Sequence, residues 1–303
     1  MIENSKITIA QTATTDSGGM CYAIHLKDDS FVIIDGGQSD IGGANSYKEN
    51  SEALINHIRS RTNAKKPIIS AWFITHFHLD HVDMATRFIE EEKDNFEFKL
   101  FAYNNPGEYE KFDESKRKSD FEDAIALHPA AEKRILKTGE KYEFAGLSAE
   151  VLMAEDFRYH SDPPSQNHIC AALMLTFEFG TKFAVLGDCD TERLYQMRLT
   201  DSPVYQPDEK LRCHILQVPH HGLPLGTKPF IDKNLELYKI MEPNICLFPV
   251  DEERYTTDKK FFDNPFYSDN YYLLSTRKQN CFHNSKTAVI NAKDLTVNFE
   301  LEN

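Results

Sequence analysis

The most informative stretch of the sequence is residues 72–81, which read WFITHFHLDH. Three histidines and one aspartate occupy six residues directly after the apolar run 68–74. They are His76, His78, Asp80 and His81. Such a run predicts a buried strand, and the turn after it would place these side chains at one edge of a sheet. Imidazole and carboxylate groups suit zinc, manganese or iron, and burying so many of them without a cation would be costly, so the motif predicts a metal site.

The length and composition predict one large domain. The chain has 303 residues, of which 41% are hydrophobic and 21 are phenylalanine, enough to fill a layered core. Its sequence contains no repeat, low-complexity tract or clear linker, so we expect residues 1–303 to form a single domain. The charged segment 108–137 has spaced apolar residues on both sides of Pro129, which predicts a helical insertion.

The net charge and the hydropathy pattern argue against several classes of partner. Acidic residues outnumber basic ones 48 to 34, for a formal net charge of −14. This charge opposes nonspecific attraction to nucleic acid or to an anionic membrane, so a small-molecule substrate is expected instead. The chain shows neither a signal peptide nor an apolar run near the roughly 20 residues of a membrane span, which predicts a cytoplasmic protein. Its six cysteines form no Cys-x-x-Cys pair and are expected to be reduced and mostly buried.

Strand and helix patterns occur in two similar halves. Expected strands lie at 7–10, 21–25, 31–35, 68–74, 98–103, 149–153, 171–177, 183–186, 214–218, 245–250, 287–290 and 296–299. Expected helices lie near 51–61, 84–92, 191–199 and 231–241. Grouped strands with helices between and after them predict two mixed β-sheets packed face to face, with helices outside.

Three further places add a histidine or an aspartate where an expected strand meets a loop. Asp188 follows the apolar run 183–186, the pair His220 and His221 follows 215–218, and His168 precedes the strand that begins near 171. Catalytic groups tend to lie on such loops, held by a rigid scaffold.

With these residues the chain resembles the metallo-β-lactamase superfamily of metal-dependent hydrolases. The matching positions, in an order and spacing that cover roughly residues 7–250, are Asp35, the motif at 76–81, His168, Asp188 and His220. Segments 167–170, 186–192 and 218–222 look most like the branch that includes the hydrolase domain of bacterial DNA-uptake channel proteins. The resemblance implies a four-layer αββα sandwich with its metals at one sheet edge.

The resemblance also implies a ligand set for two ions, which we expect to be zinc, with manganese or iron as alternatives. The first ion would be held by His76, His78 and His168. The second would be held by Asp80, His81 and His220. Asp188 would bridge the two ions, and Asp35 would accept hydrogen bonds that fix the histidine-bearing loop. Asn167 is an alternative to His168 at the third motif, and His160 is a fallback ligand.

The implied chemistry is hydrolysis by a metal-activated hydroxide. Asp80 would orient the nucleophile as well as ligate, and His221 could donate a proton to a leaving group. A phosphodiester is the leading substrate class by analogy with the branch named above, and esters, lactones and thioesters are alternatives. Two other functions stay open: a mononuclear iron oxygenase of the same fold, and a degenerate member that binds metal without turnover. His78 argues against di-iron electron-transfer members, which typically have glutamate at that position.

Overall fold

The computed structural model describes residues 7–12, 19–38, 46–105, 115–154, 169–189, 191–222, 237–250, 281–283 and 286–300. The described helices are α1 (Ser46–Arg61), α2 (Leu79–Glu91), α3 (Ser115–Ala126), α4 (Thr191–Gln196) and α5 (Asp208–Leu211), with a further helical segment at 237–241. The strands are β1 (Thr8–Gln11), β2 (Tyr22–His25), β3 (Phe31–Ile34), β4 (Ile68–Ile74), β5 (Glu97–Phe98), β6 (Leu100–Tyr103), β7 (Glu132–Ile135), β8 (Lys141–Phe144), β9 (Leu147–Met153), β10 (Ala172–Phe177), β11 (Lys182–Val185), β12 (Ile215–Gln217), β13 (Ile245–Phe248), β14 (Cys281–His283), β15 (Ala288–Asn291) and β16 (Val297–Phe299).

Both sheets are mixed, and each has a parallel half and an antiparallel half. Among the described residues the first sheet runs β16-β15-β1-β2-β3-β4-β6-β7, with β5 beside β4. Its strands are antiparallel from β16 to β3 and parallel from β3 to β7. The second sheet runs β14-β13-β12-β11-β10-β9-β8, parallel from β14 to β11 and antiparallel from β11 to β8. Each parallel half therefore brings the carboxyl ends of neighbouring strands to one edge.

The main core lies between the two sheets. Tyr22 on β2 meets Phe183 on β11 edge to face, with ring centroids 5.4 Å apart, and Phe73 on β4 meets Tyr142 on β8 at 5.3 Å. Continuous apolar strands such as β3, whose four residues are all buried, fit a sheet that is covered on both faces. The chain thus places its most apolar strands at the centre of the sandwich.

Helices cover the outer face of each sheet. On the first sheet, a second apolar cluster joins α1, α2 and α3 to the strands and includes Leu54, Phe88 and Phe121. On the second sheet, a third cluster includes Leu194 and Leu211 from α4 and α5. The layer order is therefore helix, sheet, sheet, helix, as the sequence predicts. Every helix among the described residues is too short or too polar to cross a membrane.

Segment 108–137 differs from the expected helical insertion. Within its described part, α3 ends at Ala126, and residues 132–135 form β7, which pairs in parallel with β6. A parallel pair needs a long crossover between its strands, and α3 supplies it. The expectation of helix near residue 135 was wrong because β7 reads EKRI, an edge strand without apolar alternation.

Candidate metal centre

The candidate site lies where the parallel halves of the two sheets end. Asp35 follows β3 and His76 lies two residues beyond β4, while Asp188 and His221 lie beyond the ends of β11 and β12. The Ala171 N–H donates to the Thr75 carbonyl at 3.0 Å, which joins the sheets at this edge. Strand ends from both sheets thus converge on one place.

Two groups of side chains meet there at distances that suit metal binding. In each group, one nitrogen or oxygen atom per residue lies within 4.8 Å of the others. The first group comprises His76, His78 and Asp188, and the second comprises Asp80, His81, Asp188 and His221. Asp188 belongs to both groups and is 2% exposed, so the two groups share one buried carboxylate.

Charge contacts at the two groups centre on the carboxylate of Asp188. Its Oδ1 lies 3.2 Å from His81 Nε2, and its Oδ2 lies 3.5 Å from His221 Nε2 and 3.8 Å from His76 Nε2. His221 Nε2 also lies 3.1 Å from Asp80 Oδ2. Three imidazole Nε2 atoms therefore point toward carboxylate oxygens.

The other ring nitrogens are held by groups that fix the tautomers. His221 Nδ1 lies 2.5 Å from the carbonyl oxygen of Pro249, which only accepts, so Nδ1 carries the proton. His81 Nδ1 donates in the same way to Asp35 Oδ2 at 2.7 Å. In the neutral rings, Nε2 therefore carries a lone pair and faces the shared carboxylate, as a metal ligand requires.

A divalent cation fits this donor set. Within the described part of the chain, His76 Nε2, His81 Nε2, His221 Nε2 and Asp188 Oδ1 are buried without a hydrogen-bond partner. The short contacts among them are thus charge contacts without hydrogen-bond geometry. Buried polar atoms without partners are costly, and the neutral ring of His76 directs a lone pair at the Asp188 carboxylate, which repels it. An ion among these atoms would remove both penalties, and nitrogen and oxygen donors suit zinc, manganese or iron.

The pKa values describe a pocket whose field favours cations. Burial lowers the pKa of His221, but the carboxylates of Asp188 and Asp80 outweigh it and raise that pKa to about 10. Burial likewise lowers the pKa of His81, yet Asp188 and Asp35 raise it well above its ordinary value. His76 behaves differently: burial and the charges of His81 and His78 hold its pKa well below the ordinary value. His76 is therefore neutral at pH 7, the form that ligates a metal.

The backbone at the site adopts conformations that most residues avoid. Asp35, His220 and His221 have φ values of 52°, 50° and 54°, in the left-handed region that costs energy for a side-chain-bearing residue. Gly187 is also left-handed, with φ 54°, and a Cβ there would collide with Cys170 Sγ. Only glycine fits at that turn without strain.

Some of the predicted site residues lie together in the structure, and others do not or lie outside the described residues. The structure brings together His76, His78, Asp80, His81 and Asp188, and it adds His221. His220 is in neither group among the described residues, although its charge lowers the pKa of His76 and its N–H donates to the Gly187 carbonyl at 3.0 Å. His160, Asn167 and His168 lie outside the described residues.

Three supporting residues were missed by sequence reasoning. Thr75 directly precedes the histidine motif, and that position is the one signal that could have found it. Cys170 accepts the Asp188 N–H at 3.2 Å and lies 3.5 Å from His76 Nδ1. Gln217 bonds to the backbone of the loop that carries Asp188. The last two act from distant parts of the sequence, so no local pattern marks them.

Comparison with known proteins finds likeness in structure only. No family model and no curated protein matches the sequence. The metallo-β-lactamase fold protein YhfI from Bacillus subtilis is 10% identical, with 80% of this chain and 85% of that chain covered and a TM-score of 0.46. Unliganded yeast PDE1 is 12% identical over 92% and 96% of the two chains, with a TM-score of 0.51. CmlA, a diiron β-hydroxylase from Streptomyces venezuelae, is 10% identical over 95% and 54%, with a TM-score of 0.52.

The layer order and the comparisons identify the fold of this chain. At 10% to 12% identity the likeness is one of fold alone, and the chain spans about half of CmlA. The chain has two mixed sheets packed face to face, helices outside them, and a cluster of histidine and aspartate residues at one edge. These features form the metallo-β-lactamase fold that the sequence predicts, and that prediction is confirmed.

Proposed function

We propose that this protein is a metal-dependent hydrolase whose two ions share Asp188. The observation that carries the proposal is the position of Asp188 in both ligand groups, with the partnerless Nε2 atoms of His76, His81 and His221 directed at it. The geometry favours His221 over His220 as the histidine of the second group. His168 is kept as a proposed additional ligand of the first group.

Each side chain of the site has a distinct role in this proposal. Ions bound there would lower the pKa of a bound water toward neutrality and stabilise negative charge in the transition state. Asp80 holds the second group together through its contact with His221 and orients the attacking water. Asp35 keeps the Nε2 lone pair of His81 directed into the site. His221 is proposed as a ligand first, because its Nδ1 proton is already given to a carbonyl.

A phosphodiester, or a related ester, is the proposed substrate. Resemblance of the sequence motifs to the DNA-uptake branch supports a phosphodiester, and the net charge of −14 favours a small substrate over long nucleic acid. Zinc is the proposed ion, with manganese and iron as alternatives that share the same donors. Lactones and thioesters are the substrate classes to test beside it.

Metal analysis joined to a substrate screen tests the proposal. We expect two ions per chain and turnover of a chromogenic phosphodiester. Asp80→Ala or His78→Ala should lower turnover by orders of magnitude without loss of fold, read by circular dichroism. Asp83→Ala, three residues along α2 from Asp80 and paired with Arg117 at 3.3 Å, is the matched control and should keep turnover. Full activity after both ions are removed would contradict the proposal.

Iron-dependent oxidation is the second candidate, favoured by the likeness to CmlA, whose structure is described as that of a diiron β-hydroxylase. The donors of both groups also suit iron. Iron in the purified protein together with substrate-dependent oxygen consumption would support it, and zinc without oxygen consumption would reject it. A protein purified free of metal from metal-replete cells would instead indicate a degenerate member that does not turn over substrate.

A further inference from the structure

Gln217, the last residue of β12, forms three hydrogen bonds at the base of the candidate metal centre. Its side chain is 0% exposed. Oε1 accepts the N–H of Leu186 at 2.7 Å, and Nε2 donates to the carbonyls of Gly187 at 3.0 Å and Val218 at 2.7 Å. Both amide hydrogens and one acceptor site are therefore committed to backbone groups.

These bonds link the two loops that carry ligands from the second sheet. Val185 and Gln217 are the last paired residues of the parallel strands β11 and β12. The strand pairing ends there, and beyond it the Gln217 amide bonds to the backbone of both loops. On one side it holds the residues just before Asp188, and on the other it holds Val218, three residues before His221.

The loops need such support because their backbone is strained. Gly187, His220 and His221 have φ values of 54°, 50° and 54°. Left-handed conformations at residues other than glycine persist only when their surroundings hold them. The Gly187 carbonyl accepts from both Gln217 Nε2 and the His220 N–H, at 3.0 Å each, so one oxygen ties the two loops together.

We propose that Gln217 is a positioning residue for the metal centre: its amide sets the separation of Asp188 and His221, whose Oδ2 and Nε2 atoms lie 3.5 Å apart. The inference rests on the proposed function, since it takes those two residues as ligands. On this inference Gln217, which belongs to neither ligand group, determines the geometry of the second group.

A purely structural role is the competing explanation, and the chain supplies a matched control for it. Gln206 is also buried, at 5% exposed, and its Nε2 donates to the Leu152 carbonyl at 2.8 Å. Leu152 lies within β9, and within the described part of the chain no residue beside the end of that strand belongs to either ligand group. Gln206→Met and Gln217→Met therefore each remove one buried side-chain amide. Only the amide of Gln217 adjoins the proposed ligands.

Cobalt(II) titration of the metal-free protein tests the inference. Visible absorption of cobalt reports its coordination geometry, and the titration gives the number and affinity of sites. We expect wild type and Gln206→Met to bind two cobalt ions with the same spectrum. In Gln217→Met one ion should bind about 10-fold to 100-fold more weakly, with an altered spectrum. Turnover should show reduced kcat with little change in KM.

A second variant, Gln217→Glu, tests the inference if Gln217→Met folds poorly. Gln217→Glu keeps an acceptor for the Leu186 N–H but loses donors to the two carbonyls, and we expect an intermediate loss of cobalt affinity. Wild-type affinity and spectrum in either folded Gln217 variant would overturn the inference, as would an equal loss in Gln206→Met. Absence of cobalt binding by wild type would instead contradict the proposed function.

Discussion

The carboxylate of Asp35 accepts a hydrogen bond from His81 Nδ1 at 2.7 Å, and both side chains are fully buried. The same oxygen accepts the Thr75 hydroxyl at 2.7 Å. Since that hydroxyl proton is used, Thr75 Oγ1 can only accept from His76 Nδ1, 3.1 Å away. One carboxylate thereby fixes the tautomer of a histidine in each ligand group.

Asp35→Asn should weaken metal binding at both groups. An amide NH₂ in place of Oδ2 cannot accept from His81 Nδ1 or from Thr75, so both tautomers lose their support. We expect affinity to fall by about 10-fold to 100-fold, measured by competition with a chromogenic chelator.

Asp29→Asn is the matched control for that substitution. Asp29 contacts His25 Nε2 and Thr62 Oγ1, each at 2.8 Å, in the same kind of arrangement but outside both ligand groups. The metal affinity of the Asp29→Asn variant should equal that of wild type. An equal loss in both variants would show that Asp35 acts only through general stability.

Thr75→Val should weaken metal binding at the first ligand group and spare the second. The substitution conserves shape but removes the hydroxyl between Asp35 and His76, while the bond from His81 to Asp35 stays. We therefore expect weaker binding of the first ion and near wild-type binding of the second, resolved as two phases in a cobalt titration. Thr62→Val, which removes a hydroxyl bonded to Asp29, should leave both phases intact. Equal weakening of both phases would refute the relay through Thr75.

The histidine motif and the sandwich could be predicted because their signals are local. Residues 76–81 follow an apolar strand, and the positions of that strand and that motif are readable without tertiary contacts. The choice between His220 and His221 is different, because adjacent side chains in one turn point apart according to backbone angles. Their left-handed φ values are held by the Gly187 carbonyl and by Gln217, contacts that no local pattern reveals.

Asp188→Ala should abolish both metal sites, whereas Asp80→Ala should abolish one. Asp188 is common to the two groups, and Asp80 belongs only to the second. Elemental analysis of the purified variants should give close to zero and close to one ion per chain, against two in wild type. One remaining ion in Asp188→Ala would show that the groups do not share this carboxylate.

Gly187→Ala should destabilise the protein more than an ordinary glycine substitution. A Cβ there would collide with Cys170 Sγ and lie 3.0 Å from Thr75 Oγ1, in addition to the strain of φ 54°. We expect a loss of more than about 3 kcal/mol in urea unfolding, together with weaker metal binding.

Gly180 provides the control for backbone strain alone. Its φ is 84°, and a Cβ there would meet nothing within 4 Å, so Gly180→Ala should cost about 1 kcal/mol. Adding Cys170→Ala to Gly187→Ala removes the colliding sulfur and should restore part of the lost stability. Equal costs for the two glycine variants would show that the site has room for a side chain.

Glu300 should stabilise the fold at neutral pH and not in acid. Burial raises the pKa of its carboxyl, but hydrogen bonds from His57 Nδ1 at 3.0 Å and Arg61 Nη2 at 2.9 Å outweigh burial and lower that pKa below its ordinary value. The folded state therefore favours the carboxylate. Its contribution is present above the unfolded-state pKa of about 4.3 and is lost as the pH falls through the folded-state value.

Urea unfolding of Glu300→Gln at several pH values measures this contribution. At pH 7 the variant should be less stable than wild type by about 1 kcal/mol, and the difference should shrink as the solution is acidified below about pH 4. Glu178, which pairs with Lys27 at 2.7 Å on the exposed surface, is the control. Glu178→Gln should change stability little, because solvent screens an exposed pair. A difference for Glu300→Gln that persists undiminished in acid would show that its side chain acts through packing rather than through its charge.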